Sequence, residues 1–412
     1  MPLTSPFSDP LLLAAGTTDN THTIVSLTAI MAAALLSPLL SYMTGKRIPA
    51  VVLMLILGVV IGPDVLDFAD MEGDIQILRE LGLGMLFLLA GFELDVKTLA
   101  EKQGRNAIAT WVICLLTAFA VGAVVLNVTT MTAAVLAIAV TSTALGTLMP
   151  ILKSTEELPE RIKNGVMVHG AVGELLPIMT IAILLSARST GLTLIVIILF
   201  FSIALLVAFV PRTVAKIVPW VGRAFIDGAS ATNQTVVRLV ILLLLVLMSV
   251  AAVFQLDVVL GAFAAGIILR ALVADDSRPR VEKRLDVVGY GLLIPIFFIC
   301  SGMTISVNDV AEEPWMVLVV VGVILVARGL PVFLHEMIRD TGSGIKDTRE
   351  KLQLGLYSAT GLPIIVAVTD VATTAGILQQ QTASILVAGG AATVLIFPLL
   401  AAALQPKETR HL

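Results

Sequence analysis

Runs of about twenty apolar residues, separated by short polar segments, recur along the whole 412-residue chain. A helix of that length crosses the ~30 Å hydrocarbon core of a bilayer. The pattern predicts thirteen transmembrane helices, near 24–43, 49–63, 76–93, 107–126, 131–152, 164–186, 192–210, 235–254, 258–273, 287–304, 315–337, 352–369 and 382–404. The second is short, and the ninth and tenth contain Gly or Pro. Residues 1–23 hold no Lys or Arg, so the first run reads as a retained helix rather than a cleavable signal peptide. The expected fold class is an all-α polytopic membrane protein.

Charge placement tests this count. Charged residues make up 14% of the chain, against roughly 25% in soluble proteins. With the N-terminus outside, 23 of the 26 Lys and Arg fall in segments on the inner side. Arg79 and Arg188 fall outside, and Arg328 lies within a span. A wrong helix count would scramble this alternation. The expectation is therefore a multi-pass protein of the cell (inner) membrane, with residues 1–23 extracytoplasmic, a transmembrane domain at 24–404, and a short cytoplasmic tail at 405–412. The outer loops 62–75 and 308–314 are acidic, through Asp64, Asp67, Asp70, Glu72, Asp74, Asp309, Glu312 and Glu313. The bland reading, that outer loops simply lack positive charge, outweighs cation attraction there. Cys114 and Cys300 sit inside apolar runs and form no disulfide framework or zinc site.

Two spans are unusually polar at mid-depth. "AIAVTSTALGTLMPIL" (137–152) carries Thr141, Ser142, Thr143, Gly146 and Pro150. "LGLYSATGLPIIVAVTDVA" (354–372) carries Ser358, Thr360, Gly361 and Pro363. Gly and Pro release backbone groups that hydrocarbon cannot satisfy, so such segments persist only in protein or beside a cavity. The two motifs lie seven spans apart and so enter the membrane in opposite directions. A matched, inverted pair of interrupted helices is a sequence pointer to a transporter binding site. Either segment alone could equally be a close helix–helix contact.

Intramembrane charges sharpen the reading. Glu174, in "VMVHGAVGELLPIMTIAILL" (166–185), is the deepest carboxylate and a functional candidate by default. A carboxylate can hold a proton or a cation but not both, which is the minimal physics of cation/proton exchange. Arg328 needs an anion or carbonyls, with Glu174 or the backbone of the broken helices as candidate partners. His169, five residues before Glu174, projects roughly 140° away from it around the helix, and a satisfied polar contact outweighs a proton relay there. Asp257, Asp370, Glu93, Asp95 and Glu336 lie near span ends. No nucleotide loop, CxxC, HExxH or GxSxG motif supports an enzyme or a nucleic-acid binder.

Five stretches, "LGLGMLFLLAGFELDVKTL" (81–99), "AVTSTALGTLMPILK" (139–153), "VLGAFAAGIILRA" (259–271), "IPIFFICSGMTISV" (294–307) and "YSATGLPIIVAV" (357–368), resemble the monovalent cation:proton antiporter superfamily. The likeness runs in order from about 25 to 400 and is nearest to the second branch, with its Kef-type potassium efflux systems. It implies inverted repeats with two crossed broken helices, a homodimer, and a core domain taken here to include 76–186 and 287–369, the remaining helices forming the dimerisation domain. It implies an ion-binding carboxylate at Glu174, which transiently takes Na+ or K+, with Thr141, Ser142, Thr143, Ser358 and Thr360 lining the crossing. Arg328 would be a charge partner, with His169, Gly173 and Ser301 secondary. The family's usual pair is an Asp preceded by Asp, Asn or Gln; here it is Gly173–Glu174. One acid fits one proton per cation and electroneutral exchange. The resemblance implies no cofactor beyond the transported cation and H+, with the bilayer as environment. Two other readings stay open: a regulated K+ efflux pathway that needs a separate regulatory subunit, and a proton-coupled transporter of an organic or anionic solute.

Overall fold

The computed structural model of this chain describes residues 10–44, 48–71, 74–93, 100–125, 127–145, 148, 152, 158–184, 235–254, 258–273 and 275–404. Asp95, Gly146, Pro150, Asp257, the run at 192–210 and the tail 405–412 lie outside the described residues. The described elements are helical: α1 (Pro10–Met43), α2 (Ala50–Ile61), α3 (Asp74–Glu93), α4 (Lys102–Ala120), α5 (Thr130–Val140), α6 (Glu160–Leu184), α7 (Thr235–Val253), α8 (Val258–Leu272), α9 (Arg278–Met303), α10 (Val307–Glu312), α11 (Pro314–Ile338), α12 (Thr348–Ser358), α13 (Leu362–Thr374) and α14 (Gln380–Ala403). No strand occurs among the described residues. Eight helical stretches there are long and apolar enough to cross a membrane, and α2, α5 and α8 are shorter apolar helices.

Packing sorts these helices into two bundles. The first holds α1, α2, α3, α7, α8 and α9; the second holds α4, α5, α6, α11, α12, α13 and α14. They meet along α6 and α8, along α2 and α14, and through α10, which packs on α14. This differs from the grouping expected from sequence, which put 76–93 and 287–304 with the broken helices. The physical reason is close backbone approach. Gly91 of α3 and Gly266 of α8 face each other so tightly that a Cβ on Gly266 would press on the Leu88 carbonyl. Small residues let helices meet without side chains between them, and that approach holds α3 to the first bundle. Gly266→Ala is expected to cost about 1–3 kcal/mol through overpacking. A lower thermal unfolding midpoint in detergent checks this; an unchanged midpoint would mean the two backbones are not in contact.

A wide π turn closes the α4 span at Val121–Val125, and two more lie within long helices, at Gly289–Leu293 in α9 and at Leu325–Gly329 in α11. Such bulges rotate the downstream face of a helix and recur at functional sites. The two in α9 and α11 each hold a residue that matters below.

Candidate functional site

The two interrupted segments meet. α5 stops at Val140, and Thr141 leaves helical geometry at φ −97°, ψ 1°. Helical bonding resumes where the Leu148 amide donates to the Ala144 carbonyl at 3.2 Å. In the second segment, α12 stops at Ser358 and α13 starts at Leu362, with Pro363 in its first turn. Pro lacks an amide proton, so it suits a position where none is needed.

Backbone groups freed by the breaks find partners across the gap. The Thr143 amide donates to the Gly173 carbonyl at 3.0 Å, and the Ala144 amide donates to the Thr360 carbonyl at 2.7 Å. The Ser142 hydroxyl donates to the Gly361 carbonyl at 3.2 Å, and the Thr143 hydroxyl to the Ser358 carbonyl at 2.5 Å. Thr141 and Thr360 turn back on their own helix ends, donating to the Ala137 and Tyr357 carbonyls at 2.7 and 2.9 Å. All five hydroxyl residues are buried. Most use their hydroxyls to satisfy carbonyls that an unbroken helix would have satisfied itself. The Ser358 Oγ alone among these five has no hydrogen-bond partner.

Glu174 sits at this meeting point, 6% exposed. Its Oε1 accepts from the Leu145 amide at 2.6 Å. That amide belongs to the first turn after the break, where helix geometry leaves donors unpaired and favours negative charge. Glu174 also lines a narrow cleft between the two bundles. The first bundle supplies Leu86, Phe87, Leu89, Ala90, Glu93 and Tyr290, and the second supplies Pro363 and Ile364 beside Glu174. Glu93 and Tyr290 are residues the sequence reading did not place here. Glu93 reads as a span end, and the π turn that carries Tyr290 has no signature in the apolar pattern.

Arg328 is fully buried, and it does not form an ion pair with Glu174. Its Nε donates to the Thr143 hydroxyl at 3.2 Å and to the Ser358 carbonyl at 3.4 Å; its Nη2 donates to the His169 carbonyl at 2.9 Å. Cys114 Sγ lies 3.9 Å from Nη1. Of the two partners the sequence allowed, backbone and hydroxyl oxygens hold it. The guanidinium thus ties α5, α6 and α12 together from its π turn on α11.

The same arrangement accounts for Gly173. A Cβ there would come within 2.5 Å of the Thr143 hydroxyl and 2.9 Å of Arg328 Nη2. The space beside Glu174 that a second polar side chain would take is filled by Thr143 and Arg328. His169, one turn earlier, shares this face through its carbonyl, and its ring Nδ1 has no hydrogen-bond partner. Ser301 is not part of the cluster: its hydroxyl donates to the Phe297 carbonyl of its own helix at 2.7 Å.

Two broken helices thus satisfy each other, with a buried acid where they meet at the seam of two apolar bundles. The chain belongs to the sodium/hydrogen exchanger family: the profile of that family's transmembrane domain matches residues 30–404. GerN of Bacillus cereus, named an Na+/H+-K+ antiporter, is 22% identical over 357 residues, 85% of this chain and 88% of GerN. YjbQ of Bacillus subtilis (strain 168) is 25% identical over 340 residues, 76% of this chain; that match spans only 53% of YjbQ's length. The structure of the sodium proton antiporter MjNhaP1 from Methanocaldococcus jannaschii at pH 8 shares the fold, with a TM-score of 0.63 at 19% identity. That likeness covers 92% of this chain and 99% of MjNhaP1.

Proposed function

We propose that this chain is a secondary antiporter that exchanges a monovalent cation, Na+ or K+, for H+, with Glu174 binding each in turn. The carrying observation is the Glu174 carboxylate, held by the Leu145 amide at the junction of the breaks and facing the cleft between the bundles. A site on the seam of two bodies can change the side it faces when one body shifts against the other. In this reading the second bundle moves, carrying the crossed broken helices and Glu174. The first bundle stays fixed and contributes Glu93 and Tyr290 to the cleft wall. Thirteen spans, an outside N-terminus, a location in the inner membrane and a homodimeric assembly complete the reading.

The test is a pH-gradient dequenching assay in proteoliposomes with Na+, K+ and Li+. Uphill movement of a cation driven by the imposed gradient supports exchange and excludes a channel-like pathway. No response to any monovalent cation would sink the reading and favour an organic or anionic solute. GerN, an Na+/H+-K+ antiporter by name, keeps both Na+ and K+ in view.

Stoichiometry follows from Gly173. With no room for an acidic side chain at position 173, Glu174 trades one proton for one cation. Exchange is therefore expected to be electroneutral, with a rate unchanged when the membrane potential is clamped to zero. A rate that follows the imposed potential would show that another charge moves with each cycle.

A further inference from the structure

A second polar cavity lies on the same seam, near the other end of α3. It is lined by Arg79, Thr304, Thr369, Asp370, Thr373, Gln380 and Ser384. Arg79 stands fourteen residues before Glu93 on α3, about 21 Å away along the helix axis. The two cavities thus sit toward opposite ends of the molecule. A third, apolar space is walled by residues such as Phe87, Ile178, Ile364 and Val368.

Arg79 and Asp370 form an ion pair in the second cavity, Nη2 to Oδ1 at 2.8 Å. Arg79 comes from α3 of the first bundle and Asp370 from α13 of the second, so the pair ties the two bodies together. Its setting is dry on one side: the Arg79 side chain is 10% exposed and that of Asp370 34%. The Arg79 Nε has no hydrogen-bond partner, so Asp370 is the contact that holds this buried cation. The other polar groups are committed elsewhere. Thr369 and Thr373 hydroxyls donate within α13, to the Ile365 and Thr369 carbonyls at 2.8 and 2.9 Å. The Gln380 amide donates to the Thr304 carbonyl at 2.8 Å. The Arg79 charge is met here by a carboxylate, not by backbone and hydroxyl oxygens as at Arg328, so the contact depends on Asp370.

We propose that the Arg79–Asp370 pair is the closure of the exchange path on the face opposite the Glu93 cleft, a charge latch between the two bundles. The inference rests on the antiport reading. The bundles cannot shear or part on this face without stretching the contact, and in this structure the contact is made. The latch therefore favours the state in which Glu174 faces the Glu93 cleft, and it opens once per cycle. Asp370 and Arg79 act on the conformational equilibrium rather than on the bound ion.

Two measurements test it. The first is labelling of Thr373→Cys by a membrane-impermeant thiol reagent, with the buried native Cys114 and Cys300 as background. Arg79→Gln and Asp370→Asn are each expected to raise labelling several-fold. The charge-swapped double variant, Arg79→Asp with Asp370→Arg, is expected to return it to the wild-type level. Unchanged labelling in both single variants overturns the latch, as does a rise that the swap leaves in place. The second measurement serves if a single variant fails to fold. Arg79→Cys with Asp370→Cys is bridged by a bifunctional thiol reagent about as long as the replaced arginine. Exchange should stop on bridging and return when a cleavable bridge is reduced; bridged protein that still exchanges cations overturns the proposal. Absence of exchange in the wild type would sink the antiport reading instead, and the labelling would still decide the latch.

Discussion

Glu174→Gln is expected to abolish cation-driven proton movement, by on the order of 10²-fold or more for every monovalent cation, while leaving the fold intact. The amide keeps the shape of the carboxyl, and its oxygen can still accept from the Leu145 amide. It loses the ability to bind a proton and the charge that attracts a cation. Proteoliposome dequenching measures the first effect, and thermal unfolding in detergent the second. Normal exchange by the Gln variant would remove Glu174 from the mechanism. Glu174→Asp draws the carboxylate back by one methylene, away from the Leu145 amide, and is expected to give a slower exchanger rather than an inactive one.

The second large effect concerns Arg328. Arg328→Ala removes donors from the Thr143 hydroxyl and from the Ser358 and His169 carbonyls, and leaves a cavity in a fully buried place. Each buried polar group left unpaired costs about 1–3 kcal/mol, and the cavity adds to this. Partial compensation is available, because the Ser358 carbonyl still accepts from Thr143. The expected net loss is about 3 kcal/mol, seen as a lower unfolding midpoint, with exchange per folded molecule falling as the junction loosens around Glu174. Arg328→Lys keeps the charge but not the planar fork that reaches several oxygens at once, so it should fall between the two. An alanine variant with wild-type stability would show that the guanidinium is not what ties α5, α6 and α12 together.

These two residues also show how far the sequence could be read. Glu174 stood out because an acid in a run of apolar residues is costly, and the clusters at 141–143 and 358–361 stood out because hydrocarbon cannot satisfy a broken helix. Both are local arguments, about one residue or one segment against its solvent, and the structure places those residues together. The partner of Arg328 could not be read this way. Two partners satisfied the same demand for negative charge, and the choice turned on a π turn at Leu325–Gly329 that shifts the side chain toward the breaks. Ser301 was a residue of the right type on a neighbouring span, yet its hydroxyl is already used within its own helix. Glu93 and Asp370, set aside as span ends, face cavities on the seam between bundles, and a seam exists only once the helices have packed.

The amino-acid sequence by itself determined the helical, membrane-spanning class, the positions of the two breaks and the presence of an acid, Glu174, deep in an apolar run. Each follows from a free energy of transfer that acts on a residue where it stands. Only the tertiary structure decided which helices share a bundle, where Arg328 donates, and why Gly173 stands beside Glu174. Those depend on the approach of segments far apart in the chain, such as Gly91 to Gly266 and Gly173 to Thr143, where the space available is set by the partner and not by the residue. Thr143 and Arg328 occupy the place that a side chain at position 173 would take beside Glu174.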